Sequence, residues 1–199
     1  MALKKIISIG FDLASEDVQH EDINSGISLL DWDIVLFKPA LLNRNFYISD
    51  HYLGKPALDD EDSPKFKQYC QHWRREIDDA ISNGKLVIVF LSELEEVYVA
   101  TGEKTYSGTG KNRQTTRMVS LTSNYSSIPV ELLPVATKGK VVKLLPKGTE
   151  YLSAYWKEFS ALSFFNVVLS GEKIKPILQT KVGDKTVGAE YRKTEKMVL

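Results

Sequence analysis

The sequence predicts an α/β fold on a mainly parallel central sheet, and three observations point there. The runs Lys5-Ile6-Ile7-Ser8-Ile9-Gly10-Phe11, Asp33-Ile34-Val35-Leu36-Phe37-Lys38 and Lys85-Leu86-Val87-Ile88-Val89-Phe90-Leu91 are short and almost continuously apolar, the pattern of strands covered on both faces. An amphipathic helix separates the second run from the third, which makes a βαβ unit. The chain has 199 residues, 43% of them apolar and 26% charged, enough to bury a substantial core in one domain.

Taken in order, the elements follow from periodicity and punctuation. Ser63 is placed to cap the helix and Pro64 suits its first turn; Phe66, Tyr69, Cys70, Trp73, Ile77, Ala80 and Ile81 recur at spacings of three and four before Asn83-Gly84 stops it. Asp59-Asp60-Glu61-Asp62 precedes it, where the helix dipole favours negative charge. That run reads as a solvated cap rather than a metal site, because carboxylates adjacent in sequence rarely converge on one ion. Residues 92–127 are polar with little periodicity and read as a long, loop-rich insertion. Short strands are expected at Pro129–Val135, Val141–Leu145 and Phe165–Leu169, and a helix over Glu150–Leu162 with Thr149 as its cap. Pro176–Val182, the turn Gly183-Asp184, Lys185–Tyr191 and Lys196–Leu199 read as an antiparallel C-terminal meander. The apolar ending Lys196-Met197-Val198-Leu199 reads as the interior of a longer protein, with 1–199 as its N-terminal α/β domain and other domains of the parent as neighbours.

Charge and cysteine content narrow the functional classes. Twenty-six Lys and Arg balance 26 Asp and Glu, so no global field draws the chain onto nucleic acid or a membrane, and electrostatic recognition has to be local. The single Cys70 forms no internal disulfide or cysteine-rich zinc site and suits a reducing cytoplasm. The apolar run behind the N-terminal lysines is too short for a signal core or a span, so no membrane partner is expected.

The order of a first strand, "LLDWDIVLFKP", a helix ending at Asn83-Gly84, "KLVIVFL" and the late hairpin "PILQTKVGDKTVGAEYRK" resembles the class I glutamine-amidotransferase-like group, including its trehalose-utilisation branch. The resemblance covers much of the chain and rests on scaffold features. It implies a flavodoxin-like three-layer sandwich. The catalytic members carry a cysteine in a Gly-x-Cys-x-Gly turn, and no such turn occurs here. Cys70 falls on the apolar face of the helix, and His72, two positions on, points to another side. The resemblance therefore implies a fold without the amidotransferase chemistry.

The stretch "YSGTGKNRQTTR" invites a test for a phosphate loop. Walker A needs a glycine five positions before Gly110-Lys111 and a Ser or Thr after them; Thr105 and Asn112 stand there. A Rossmann fingerprint fails as well, since Arg113 stands where the third glycine belongs. No Gly-x-Ser-x-Gly elbow or His-Glu-x-x-His helix occurs, and His20, His51 and His72 show no ligand spacing.

A positional argument survives. Ligands of open parallel sheets bind beyond the carboxyl ends of the strands, where Asp12, Lys38, Ser92 and Glu93 stand. Within the insertion, Lys104, Lys111, Arg113 and Arg117 face only Glu103, and Ser107, Thr109, Thr115, Thr116 and the amides around Gly108 and Gly110 are donors for phosphate oxygens. The first expectation is a non-catalytic sensing or recognition module for a phosphorylated ligand, nucleotide or nucleic-acid backbone. The alternative reading of the segment is a solvated loop attracted to the Asp59–Asp62 run. A second functional expectation is a hydrolase or transferase using Asp12 and Glu93 around a divalent cation, with Lys38 and Arg117 stabilising developing charge. A third is a protein-interaction scaffold presenting Tyr98, Tyr106 and Tyr125.

Overall fold

The computed structural model describes residues 4–130, 134–139, 142–157 and 165–192. The apolar runs form the expected parallel sheet: β1 (Ile6–Ile9), β3 (Ile34–Phe37) and β6 (Leu86–Val89), with β2 (Val18–Glu21) added at the edge in the order β2-β1-β3-β6. All three pairings are parallel, with Ile9 beside Phe37 and Phe37 beside Val89. The polar sequence of β2, Val-Gln-His-Glu, hides it from a search for apolar runs, and an edge position tolerates it. Chain order reverses at β1: β2 lies on one side of it and β3 on the other.

Helix α2 (Asp62–Ser82) spans the expected range; α1 (Leu42–Asn45) is a single turn upstream. Ser63 is not the cap of α2, which already begins at Asp62. Asp59 Oδ1 accepts from the backbone N–H groups of Glu61 and Asp62, while Ser63 Oγ accepts from Ala100 N and so joins helix to strand. The apolar stripe of α2 lies on Ile7, Ile9, Val35 and Phe37, with Trp73 tilted against Phe37 at 5.7 Å. Trp73 Nε1 donates to the Ile23 carbonyl, and the buried Glu76 carboxylate accepts from Leu29 N, which ties the β2–β3 connection to the helix.

Coverage on both faces holds at β1, where Ile7, Ser8 and Ile9 are all 0% exposed, but not at β6, where Leu86 is 54% and Ile88 40% exposed. The continuous apolar run there reflects a strand at the edge of the sheet, covered by α2 on the Val87 and Val89 face.

The stretch read as loop-rich is largely strand. β7 (Glu96–Ser107) and β8 (Gln114–Ser123) form a long antiparallel hairpin, joined through a 3-10 turn at Gly110–Asn112. With the hairpin β4 (Ile48–Tyr52) and β5 (Lys55–Leu58), it builds a second sheet in the order β4-β5-β7-β8. Leu53 and Gly54 turn β4 into β5 with positive φ; the Leu-Gly pair lacks the Asn-Gly signal that announces such hairpins.

The C-terminal region is mostly antiparallel. β9 (Val135–Gly139) pairs with β11 (Phe165–Val168) as a two-stranded sheet, and β10 (Val142–Leu144), β12 (Ile174–Thr180) and β13 (Thr186–Tyr191) form a further three-stranded sheet around the Gly183-Asp184 turn. The expected helix starts earlier than its proposed cap: α3 (Pro146–Leu152) opens with Pro146 in its first turn, and Thr149 sits inside it, donating to the Leu145 carbonyl. A 3-10 turn at Ser153–Tyr155 follows α3; the rest of the expected helix extends beyond the described residues, as does the strand expected at Lys196–Leu199. Pro129 and Val130 lie outside any strand. Among the described residues no helix is long and apolar enough to cross a membrane.

Candidate functional site

The carboxyl edge of the parallel sheet is closed by a packed polar network. Phe11 and Phe90, just beyond β1 and β6, meet edge to face at 5.0 Å across the end of β3. Ser92 is buried and Asn124 is 0% exposed. The Asn124 amide donates to Ala40 O, Ser92 Oγ and Glu93 O and accepts from Glu95 N, and Tyr125 Oη donates to Ser92 O. The base of the β7–β8 hairpin is thereby fastened onto the ends of β3 and β6. Ser92 works as a structural hydroxyl here, and Tyr125, at 6% exposure, is withdrawn from any interaction surface. Burial raises the Tyr125 phenol well above its usual range.

Asp12 and Glu93 leave β1 and β6, with β3 between them, so two strand spacings of about 9.6 Å part their strands. Asp12 is exposed and stands 4.0 Å from His20 Nδ1. The same Nδ1 is 2.6 Å from Ser8 Oγ, a serine, histidine and aspartate neighbourhood that the sequence did not announce. It lacks the polarity of a nucleophilic triad. Ser8 is fully buried, its hydroxyl donates to Phe11 O, and Asp12 approaches the same ring nitrogen rather than the opposite one. Lys38 is half-buried beyond β3. Among the described residues no three His, Cys, Asp or Glu side chains converge as metal ligands. Cys70 is buried, and desolvation pushes its thiol up to about 12, the state of an inert core cysteine.

The basic residues are brought together on the outer half of the hairpin. A register shift separates the halves: Ala100 pairs with Val119 and Lys104 with Arg117, leaving Thr101, Gly102 and Glu103 opposite Met118. Beyond it Lys104 and Arg117 stand directly opposite each other, and Tyr106 opposite Thr115, so all four share one face of the ribbon. Like charges placed so repel. Arg117 is drawn aside, donating to Leu58 O at 3.0 Å and to Asp60 Oδ1 at 3.2 Å, so part of the expected attraction to the Asp59–Asp62 run is present. Lys104, Lys111 and Arg113 have no carboxylate partner among the described residues. Arg113 instead lies over the Tyr106 ring at 4.1 Å. Ser107 closes the ribbon against Gln114, and Gly108 turns it with φ +80. A side chain at Gly108 would meet Asn112 O at 2.3 Å, so the turn itself demands this glycine; Gly110 also has positive φ. Residues 101–116 are all exposed.

Two hollows flank this ribbon. One, of about 280 Å³, lies among Asp60, Pro64, Lys67, the 100–104 bulge and Arg117; the other, of about 320 Å³, runs between α2 and the inner hairpin. No family model, curated protein or solved structure matches the chain.

Proposed function

We propose that the chain is a non-catalytic recognition module whose exposed β-ribbon holds a phosphate-bearing ligand or nucleic-acid backbone. One observation carries this reading: Lys104, Lys111 and Arg113 stand on a fully exposed ribbon without carboxylate partners among the described residues, and Arg113 is stacked on Tyr106. Among the described residues Arg117 is the ribbon cation that an ion pair engages. A protruding two-stranded ribbon with cations and an aromatic presents both backbone and stacking contacts to a nucleic acid. Of the strand-edge residues, Ser92 and Glu93 serve in this reading in the frame that holds the ribbon's base, through their bonds to Asn124 and Tyr125. We extend the proposal to a scaffold of the flavodoxin-like, glutamine-amidotransferase-like kind in a cytoplasmic protein. The strand order β2-β1-β3-β6 and the late hairpin support it, while such a scaffold by itself implies no chemistry.

The test is binding of fluorescein-labelled oligonucleotides by Lys111→Ala with Arg113→Ala. Affinity is expected to drop at least tenfold, with the thermal midpoint within about 2 °C of wild type because both side chains are exposed. Unchanged affinity would refute the reading. Arg117→Ala is the poorer variant, since it also removes the bonds to Leu58 and Asp60.

A further inference from the structure

The cations do not stop at the ribbon. Lys67 lines both hollows and reaches from α2 to the Ala100 carbonyl between them, so the two adjoin at its side chain and make an interrupted furrow from the bulge onto the side of α2. Along α2 the furrow is edged by Lys67, Gln71 and Arg74, at helical spacings of four and three that place them on one stripe. Opposite them stand the hydroxyls of Ser120 and Thr122 on β8 and of Ser126 on the turn that follows it, with Thr122 and Ser126 bonded to each other at 2.8 Å, which leaves one donor between them. Lys67 Nζ donates to Ala100 O at 2.6 Å, which fixes the ammonium at the junction of the hollows while leaving it two more protons to donate. Arg74 is exposed and has no ion pair among the described residues. Lys67 and Arg74 lie about 10 Å apart along the helix axis. The ribbon from Tyr106 back to Ala100 adds about 20 Å. A line of five cations, Lys111, Arg113, Lys104, Lys67 and Arg74, thus runs from the tip to the middle of the helix. The carboxylates in its walls are Glu103 and Asp60, and Asp60 is already engaged by Arg117.

We infer that this furrow is the path of a single-stranded nucleic acid: its bases meet the Tyr106–Arg113 stack at the tip, and its backbone phosphates follow Lys104, Lys67 and Arg74 along the furrow, with hydroxyl donors on the facing wall. The inference rests on the ribbon reading above and names its ligand class. A duplex engages the protruding ribbon tip alone, because its rigid cylinder does not follow a furrow let in between a helix and a hairpin. A flexible single strand follows it, through a charged groove joined to an aromatic platform.

The experiment measures binding of dT4 and dT12 oligonucleotides, and of a 12-base-pair duplex, between 50 and 200 mM salt. The proteins are the wild-type chain, Lys67→Gln with Arg74→Gln, and the Lys111/Arg113 alanine pair. Three phosphate contacts on a single strand give a salt slope of about −2.1, roughly a 20-fold loss of affinity over that range; removing two of them is expected to reduce this to roughly threefold. The furrow pair is also expected to abolish the preference for dT12 over dT4. If Lys67→Gln disturbs folding through its bond to Ala100, Arg74→Glu alone repeats the test from the exposed end, and it is expected to lower the slope and the length preference in the same direction. An unaltered slope and length preference in the furrow variants, alongside lost binding in the ribbon pair, would overturn the furrow and leave the ribbon reading standing. A duplex bound as tightly as dT12, with silent furrow variants, would overturn the single-strand assignment. No binding by the wild-type chain would end both.

Discussion

The two halves of the β7–β8 hairpin are one continuous pair of strands with opposite surroundings. On the inner half Val97 and Val99 are 0% and 2% exposed and belong to the core around α2; on the outer half every residue from 101 to 116 is exposed. The register shift over Thr101–Glu103 marks the boundary, and composition changes there, from valine and serine to lysine, arginine and tyrosine. A strand pair needs no core to persist once its base is fixed, since its ladder hydrogen bonds are internal. The base here is held by apolar burial and by Asn124, which leaves the outer half available to a ligand.

Four measurements break or sharpen this contrast. Replacing Val97 and Val99 together with alanine removes four buried methyl groups and leaves cavities beside α2; urea unfolding is expected to show a loss of about 4 kcal/mol. Tyr106→Ala in the outer half is expected to stay within about 0.5 kcal/mol, and equal effects in the two halves would erase the distinction. Asn124→Ala strips partners from Ala40 O, Glu93 O and Glu95 N, which lie in the network at the hairpin base. A loss of about 2 kcal/mol is expected; a loss below 0.5 kcal/mol would mean that apolar burial alone holds the base. The smallest effect lies in acid. The Tyr47 N–H, followed by Lys65, holds the Asp62 carboxyl below its ordinary range. A depressed folded value means its contribution is present above the unfolded value of about 3.9 and disappears as pH falls through the lower folded one. Asp62→Asn is expected to flatten that part of the stability profile and leave the neutral region's slope unchanged; an unaltered acid limb would show the pairing to be without weight.

Much of the scaffold was legible because it is written in local periodicity. The runs at Ile6–Ile9, Ile34–Phe37 and Leu86–Val89 and the stripe of α2 are apolar in patterns that only strands and a helix satisfy. The outer half of the hairpin was not legible, because an exposed ribbon has no buried face to impose alternation and its polar residues read as loop; the inner half carries only the short alternation of Val97 and Val99. β2, β4 and β5 escaped for related reasons: a polar edge strand in the first case, and a Leu-Gly turn without the usual signature in the others. The cationic residues of the candidate site were visible as a cluster from 104 to 117, whereas Lys67 and Arg74 carried no signal, being ordinary solvated positions on the polar side of an amphipathic helix.

The sequence by itself determined the parallel α/β core, the length of α2, the missing nucleophile turn and the local excess of positive charge, since each depends on residues near one another in the chain. Only the tertiary structure decided which of those charges are engaged and which stand open. Arg117 finds Asp60 across 57 positions and Lys67 finds the Ala100 carbonyl across 33. Hydrogen bonds and Coulomb interactions act on distance in space, which the folded chain sets and the order of residues does not.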